Sequence, residues 1–481
     1  MAFALIENVR TKLLSVKQAP LPPNRRTWYT PIIMMMRHHY FMILPVLLLS
    51  VTACARPAPG EMVEAFWVEF FRDNAHPLQQ PAHLDPLLDA IGDARLVLLG
   101  ESTHGTSEYY RWRDRISRRL IEEKGFSFVA VEGDWESLYQ LNKYVKLLPG
   151  AGDDPEAILR RLGRWPQWMW ANREVVELAR WMRARNAKLP LEARAGFYGI
   201  DVYGWGDSVG RLPEYFNRIE PGSRERVRRA LAPLEGLGGD MRAFHLAVHQ
   251  RGLDARPAVD GLIEELERNE AEYRARDEVA YFAALQNAKV IREAKRHMRT
   301  AGLPGGDSWN IRATHFKDTV GRLLDFYGEG SRGIAWAHNT HVGDARATDM
   351  GRAGMVNIGR LARQRMGEDD VFIVGFATYE GEVYAGRAWG EPRERMEMPP
   401  AREGSFEHYL RQAGHPSALY LLRDMPGDEM VLLQVGMQRA VGVVYQPEHD
   451  RARNFVPTIL SDRYDALLYF ETTSPLQPLH P

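Results

Sequence analysis

The sequence predicts an α/β fold, a central largely parallel sheet flanked by helices and carrying a helical insertion. Three observations predict it. First, Arg95-Leu96-Val97-Leu98-Leu99 reads as a buried strand broken by Gly100, and Thr106 to Lys124 then carries Tyr109, Tyr110, Ile116, Leu120 and Ile121 at helical spacing. Second, Phe126 to Val131 is another apolar run. Strand, helix and strand within about 40 residues form a βαβ unit, so the two strands are expected to be parallel. Third, residues 207–328 contain almost only helical patterns, which interrupts the alternation as an insertion.

The remaining elements follow in order. Glu61 to Asn74 is amphipathic, with Val63, Phe66, Trp67, Phe70 and Phe71 on one face. His83 to Ile91 reads as a short helix. Residues 155–187 read as helical with a Trp-rich stretch (Trp165, Trp168, Trp170, Trp181), whose cluster from 165 to 170 reads as core rather than as a substrate platform. Gly196 to Ile200 is a third strand, ending at Asp201. The insertion includes a charge-laced run from Val259 to Arg299. Arg332 to Ala337 is a fourth strand, running into His338-Asn339-Thr340-His341. Later strands are Val371 to Ala377, paired with Glu382 to Gly386 through Glu380-Gly381, then Leu419 to Leu422, Val441 to Tyr445 and Ala466 to Phe470.

The N-terminal stretch has a different character. Tyr40 to Val51 is an apolar run of about a dozen residues, too short to span a bilayer. Val51-Thr52-Ala53 before Cys54 resembles a bacterial lipoprotein signal. The expectation is a signal region over 1–53, with translation starting at one of Met34, Met35 or Met36. A tether over 54–60 and a single domain over 61–475, with its insertion at about 207–328, would follow. Cys54 would carry a lipid and anchor the protein to a membrane of the cell envelope, facing the periplasm or exterior. Cys54 is the only cysteine, which excludes disulfides, thiolate metal sites and a catalytic thiol. A net charge of −1 gives no basic excess for nucleic acid.

The functional signal is the repeated placement of ionisable residues at strand ends. Four strands end in Glu101 and His104, in Glu132, in Asp201, and in His338 and His341. In open α/β sheets ligands bind at that edge, outside the carboxyl ends of the strands. The residue types suit the opening of an ester by water. A histidine takes a proton from water, a carboxylate fixes its tautomer, and donors receive the developing oxyanion. His104 is the candidate base, and Glu101 or Glu132 the residue that orients it. His338 or His341 could bind the oxyanion or protonate the leaving alkoxide. Arg113 could fix either glutamate or polarise the carbonyl.

Other readings of the same residues exist. His104, His338, His341, Glu101 and Glu132 could hold a divalent metal for a metal-dependent hydrolase, although no His-Glu-x-x-His signature is present. Gly206-Asp207-Ser208-Val209-Gly210 matches a nucleophile elbow, but Val202 to Trp205 separate it from the strand it should follow. A lipid-anchored protein that binds haem, a metal or another small ligand without turnover is the non-enzymatic alternative.

As a set, these motifs resemble the erythromycin esterase family. The matching pieces are Ile91-Gly92-Asp93-Ala94, Leu98 to Thr106, Glu108, Arg113 and Glu122 to Phe126. They continue with Val131-Glu132-Gly133-Asp134-Trp135, Asn142 to Val145, Gly199-Ile200-Asp201, Ala337 to Val342 and Gly442 to Tyr445. The resemblance implies an α/β hydrolase that opens macrolide lactones, inactivates an antibiotic and needs no cofactor. By motif match, His104 would be the base and Glu101, Arg113, Glu132, His338 and His341 its company. Asp201, Trp135 and Arg312 would contact substrate. One departure stands at Trp309-Asn310-Ile311-Arg312-Ala313, where the family tends to have an acid after the arginine.

Overall fold

The computed structural model describes residues 59–253, 256–301, 303, 305–423, 425 and 433–480. The expected signal region and the lipidation position Cys54 lie outside them. The chain divides into two units, Met1–Met62 and Val63–Pro481. Of the first, only residues 59–62 are described, in the opening turn of the helix Pro59–Asp73. The second unit holds the sheet. Among the described residues, no helix is long and apolar enough to cross a membrane.

The strands are β1 (His76–Pro77), β2 (Leu96–Leu99), β3 (Phe128–Asp134), β4 (Gly196–Asp201), β5 (Gly333–Trp336) and β6 (Val371–Gly386). They continue with β7 (Arg393–Met398), β8 (Ser417–Leu421), β9 (Gly436–Arg439), β10 (Phe455–Thr458) and β11 (Ala466–Thr473). The main sheet runs β1-β8-β11-β6-β2-β5-β3-β4, with β7 added to β6. From β11 to β4 every neighbour is parallel, while β1, β8 and β7 pair antiparallel. This is the largely parallel sheet flanked by helices that the sequence predicts. β2 and β3 are parallel but not adjacent, because β5 lies between them.

The central strands are buried on both faces, which explains their continuous apolar runs. Successive residues alternate between two cores. Leu96, Leu98, Phe128, Ala130 and Ala335 face one, and Val97, Leu99, Val129, Val131, Ile334 and Trp336 face the other. β2, β3, β4 and β5 therefore run side by side in one direction and end at one edge. Between β4 and β5 the chain forms the helices Trp205–Ile219, Arg224–Glu235, Met241–Gln250, Arg256–Arg268, Glu270–Thr300 and Asp307–Tyr327.

Several elements differ from expectation. The strand at Phe128 does not stop at Val131 but continues to Asp134 through an irregularity in its pairing with β4. Such a bulge re-aims side chains at a sheet edge. Val371 to Gly386 is one long strand, not a hairpin turning at Glu380-Gly381. Gly381 has φ +142° and lies against Thr473, where a Cβ would collide with backbone. The glycine there permits a close approach and makes no turn; the antiparallel partner is β7. Val441 to Tyr445 is not a strand and makes only single bridges, Val441 to Thr103 and Val444 to Gly386. Ser208 lies inside the helix Trp205–Ile219 and is fully buried, so it does not stand on an exposed strand-to-helix turn as an elbow serine must.

Candidate functional site

Gly100 ends β2, and the turn Glu101 to Thr106 carries the chain into the helix Ser107–Glu123. The turn is pinned from three sides. The His104 N–H donates to the Val441 carbonyl (2.9 Å), the Val441 N–H to the Ser102 carbonyl (2.8 Å), and the Leu476 N–H to the Gly105 carbonyl (2.9 Å). Gly105 sits at φ +81° against the backbone of Tyr384, where no side chain fits. His104 is thus presented on a fixed loop.

Its Nδ1 lies 2.8 Å from Glu101 Oε1. The other Glu101 oxygen accepts from Arg113 Nη2 at 3.0 Å. Glu101 and Arg113 are both fully buried. The guanidinium carbon of Arg113 packs 4.3 Å from the Tyr110 ring and 4.9 Å from that of Trp336. Glu101 therefore orients His104, a choice the sequence left open between Glu101 and Glu132. No described residue hydrogen-bonds the His104 Nε2.

Glu132 belongs to a second cluster, built around Arg312 from the helix Asp307–Tyr327. Arg312 grips Asp201 with Nε (3.0 Å) and Nη2 (2.6 Å), and Nη2 also reaches Glu132 Oε1 at 2.7 Å. The second Glu132 oxygen accepts the backbone N–H of His338 at 2.9 Å. His341 Nε2 lies 3.0 Å from Arg312 Nη1 and 3.2 Å from Glu132 Oε1. The His341 ring stacks on Trp309, with centroids 4.4 Å apart and planes inclined by 6°. Its Nδ1 is buried with no partner among the described residues.

Burial pushes the Glu132 carboxyl up, but His341 and Arg312 beside it hold it well below the usual carboxylate range. Burial also lowers His341, so the permanent charge of Arg312 is the cause that persists at neutral pH. Asp201 follows the same pattern, with Arg312 overcoming the effect of burial. Two buried carboxylates thus stay ionised around one guanidinium.

Burial, followed by the neighbouring His104, pushes His338 well below the usual histidine range. Its contacts fit a neutral ring. Nδ1 accepts from the Thr340 N–H (3.2 Å) and bonds the Thr340 hydroxyl (2.8 Å), while Nε2 faces the Ser102 carbonyl (3.2 Å) and donates to it. Both nitrogens are engaged, so His338 offers no free donor to an oxyanion or alkoxide in this conformation. Its ring lies 4.8 Å from that of His104.

The structure therefore joins Glu101, His104 and Arg113 in one group and Glu132, Asp201, Arg312 and His341 in another, with His338 between them. Trp135 belongs to neither. Its ring is fully buried and stacks on Tyr139 (5.5 Å) and Tyr198 (5.6 Å) in the core. Ala313, where the family tends to have an acid, is fully buried, and Arg312 draws its carboxylates from β3 and β4 instead.

Sequence reasoning missed Arg164 and Tyr203. Arg164 makes a two-pronged pair with Asp134 (2.5 and 2.7 Å). The Tyr203 ring lies between the guanidinium groups of Arg164 and Arg312, 5.1 Å from each carbon. Asp134 stands within the quoted motif two residues after Glu132, but no spacing pointed to its partner.

The chain was compared with known proteins. A family model described as erythromycin esterase matches residues 121–473. A curated relative, erythromycin esterase type II of Escherichia coli, is 21% identical over 406 residues, spanning 78% of this chain and 94% of the relative. A solved structure of a Bacillus cereus protein superposes with a TM-score of 0.73 at 20% identity, over 88% of this chain and 100% of its own. A protein described as a succinoglycan biosynthesis protein gives 0.71 at 21% identity, over 86% and 99%. A mutant of the erythromycin esterase EreC in its open conformation gives 0.60 at 18%, over 82% and 95%. At these identities the structural likenesses speak for the fold, and the family model, which covers most of the chain, for descent: the chain belongs to the erythromycin esterase family.

Proposed function

We propose that this protein is a hydrolase of macrolide type that opens an ester or lactone by attack of water activated by His104. Family membership supports a hydrolase acting on esters. The single observation that carries the mechanism is the 2.8 Å contact between His104 Nδ1 and the buried Glu101, which leaves Nε2 unbonded by any described residue. With Nδ1–H donated to Glu101, the lone pair of Nε2 takes a proton from water as oxygen attacks the carbonyl carbon. Glu101 stabilises the imidazolium that forms, and Arg113 fixes the carboxylate. When the tetrahedral intermediate collapses, the C–O bond breaks and the same imidazolium returns its proton to the alkoxide. The permanent charge of Arg312 sets the electrostatic surroundings in which the oxyanion forms. Inactivation of a macrolide antibiotic would be the outcome in a cell.

The test is hydrolysis of erythromycin and of p-nitrophenyl esters by the wild type, with and without chelator, and by two variants. His104→Ala should lose about 10²- to 10⁴-fold in rate, roughly 3 to 5 kcal/mol of transition-state stabilisation. Its melting temperature should stay within a few degrees of wild type. Ser208→Ala should keep its rate, because its hydroxyl is buried in a helix without a hydrogen-bond partner. Full activity in His104→Ala would falsify the reading; an acyl-enzyme burst lost in Ser208→Ala would replace water with serine, and loss on chelation would replace it with metal chemistry. We also propose attachment to the envelope membrane through Cys54. Cys54→Ser should then move to the soluble fraction, and a wild type found soluble with an unmodified Cys54 would end that idea.

A further inference from the structure

Among the described phenylalanines, tyrosines and tryptophans, Trp389 is the only one that is exposed, at 54%. A single exposed apolar residue is ordinary. This one differs in being held and in where its contacts lead. It lies on the link between β6 and β7, and that link is fixed at several points. Trp165 Nε1 donates to the Glu391 carbonyl (2.8 Å), the Gly386 N–H to the Val443 carbonyl (2.9 Å), and the Tyr445 N–H to the Gly386 carbonyl (2.9 Å). The Trp389 ring then meets Trp165 edge-on with centroids 4.7 Å apart, and Tyr203 at 6.1 Å. Tyr203 in turn lies over Arg312, which holds Glu132. Contacts thus run without interruption from an exposed indole to the charged half of the site.

We propose that Trp389, backed by Trp165 and Tyr203, is a stacking platform for the apolar ring face of the substrate. The ligand class is an ester or lactone with a broad apolar face, large enough to reach from the Arg312 cluster to the protein surface. The inference rests on the hydrolase reading above and names what the site selects. A rigidly presented aromatic gives contact area at little cost in conformational entropy, and its π face accepts the C–H groups of a ring. A small acyl ester would occupy only the catalytic end and would not touch Trp389. Trp389 is a specificity-determining residue in this account, not one that touches the reacting atoms.

The experiment compares a large and a small substrate, erythromycin and p-nitrophenyl acetate, on wild type, Trp389→Ala and Trp389→Phe. Because the side chain is exposed, both variants should melt with wild type. Trp389→Ala should raise KM for erythromycin about tenfold with kcat nearly unchanged, and Trp389→Phe should restore most of it. Neither variant should change kcat/KM for p-nitrophenyl acetate. An unchanged KM for erythromycin, or an equal loss on both substrates, would overturn the platform while leaving the hydrolase reading intact. Calorimetric binding of erythromycin to His104→Ala, with and without Trp389→Ala, supplies the readout that needs no turnover. If wild type hydrolyses neither compound, the hydrolase reading fails alone. Trp389-dependent binding would still support the platform, and absent or Trp389-independent binding would overturn it.

Discussion

The two halves of the site neutralise buried charge by different means. The His104 half is local: Glu101, His104 and Arg113 come from one passage of strand end, turn and helix, and Glu101 shares its two oxygens between an imidazole and a guanidinium. The Arg312 half is assembled from afar. Arg312 lies 111 positions from Asp201 and 180 from Glu132, and its one charge serves both carboxylates. The first arrangement leaves one nitrogen free for chemistry. The second uses nearly every donor it has on the protein itself. The comparison suggests that the local half does the proton transfer, while the distant half ties the insertion to the sheet and sets the charge around the site.

The largest expected effect tests that division. Arg312→Met removes the permanent cation from between two buried carboxylates. Breaking a buried pair by deleting one partner costs about 3 to 5 kcal/mol, because the remaining charge is stranded. Arg113→Met also breaks a fully buried pair, but it strands one carboxylate rather than two and should cost about 3 kcal/mol, the lower end of that range. Glu101 keeps its contact with His104, and Arg113 already leaves Nε and Nη1 buried without hydrogen-bond partners. Urea unfolding of the two variants measures both. Equal losses would mean that the halves are not distinct in the way described.

The same contrast explains what could be read from the sequence. The alternation of buried strands and helices placed the βαβ unit, because burial on both faces leaves a continuous apolar run that needs no partner to be recognised. Glu101 and His104 were legible for a similar reason: they are three residues apart on one turn, and the following helix brings in Arg113. The pairing of Arg312 with Asp201 and Glu132 was not, since it depends on how a helix from the insertion returns to the sheet edge. Gly381 misled because a glycine that admits Thr473 looks, in sequence, like a glycine that makes a turn. Trp135 misled because its motif places it beside Glu132, whereas it opens the helix Trp135–Lys146 and its ring falls into the core. Trp389 gave no signal, since its meaning lies in Trp165 and Tyr203, residues far from it in the chain.

A smaller effect sharpens the comparison within a single segment. Glu136 follows Glu132 by four residues, across the junction of β3 and the helix Trp135–Lys146, and is just as buried, but no guanidinium hydrogen-bonds it. Its oxygens accept from Gln140 (2.6 Å), Tyr215 (3.4 Å) and Asn287 (3.1 Å), all neutral groups. Burial pushes its carboxyl up to about 7, against the opposing influence of the hydrogen bonds from Asn287 and Gln140 and of the more distant Lys143 and Arg211. Glu132 is held low and Glu136 high, and the difference is the presence of Arg312. A raised carboxyl favours the protonated form in the folded state. Its contribution to stability is therefore complete below the unfolded value, about 4.3, and is lost as pH climbs towards 7. Glu136→Gln mimics the neutral acid at every pH, and Asn287 Oδ1, which has no partner, is available to accept from the new amide. The variant should gain stability relative to wild type as pH rises from 5 to 8, by up to about 3 kcal/mol. Melting temperatures of the two proteins across that range measure it. A difference that stays constant with pH would mean that Glu136 is ionised in the fold, and that burial without a cation does not separate it from Glu132.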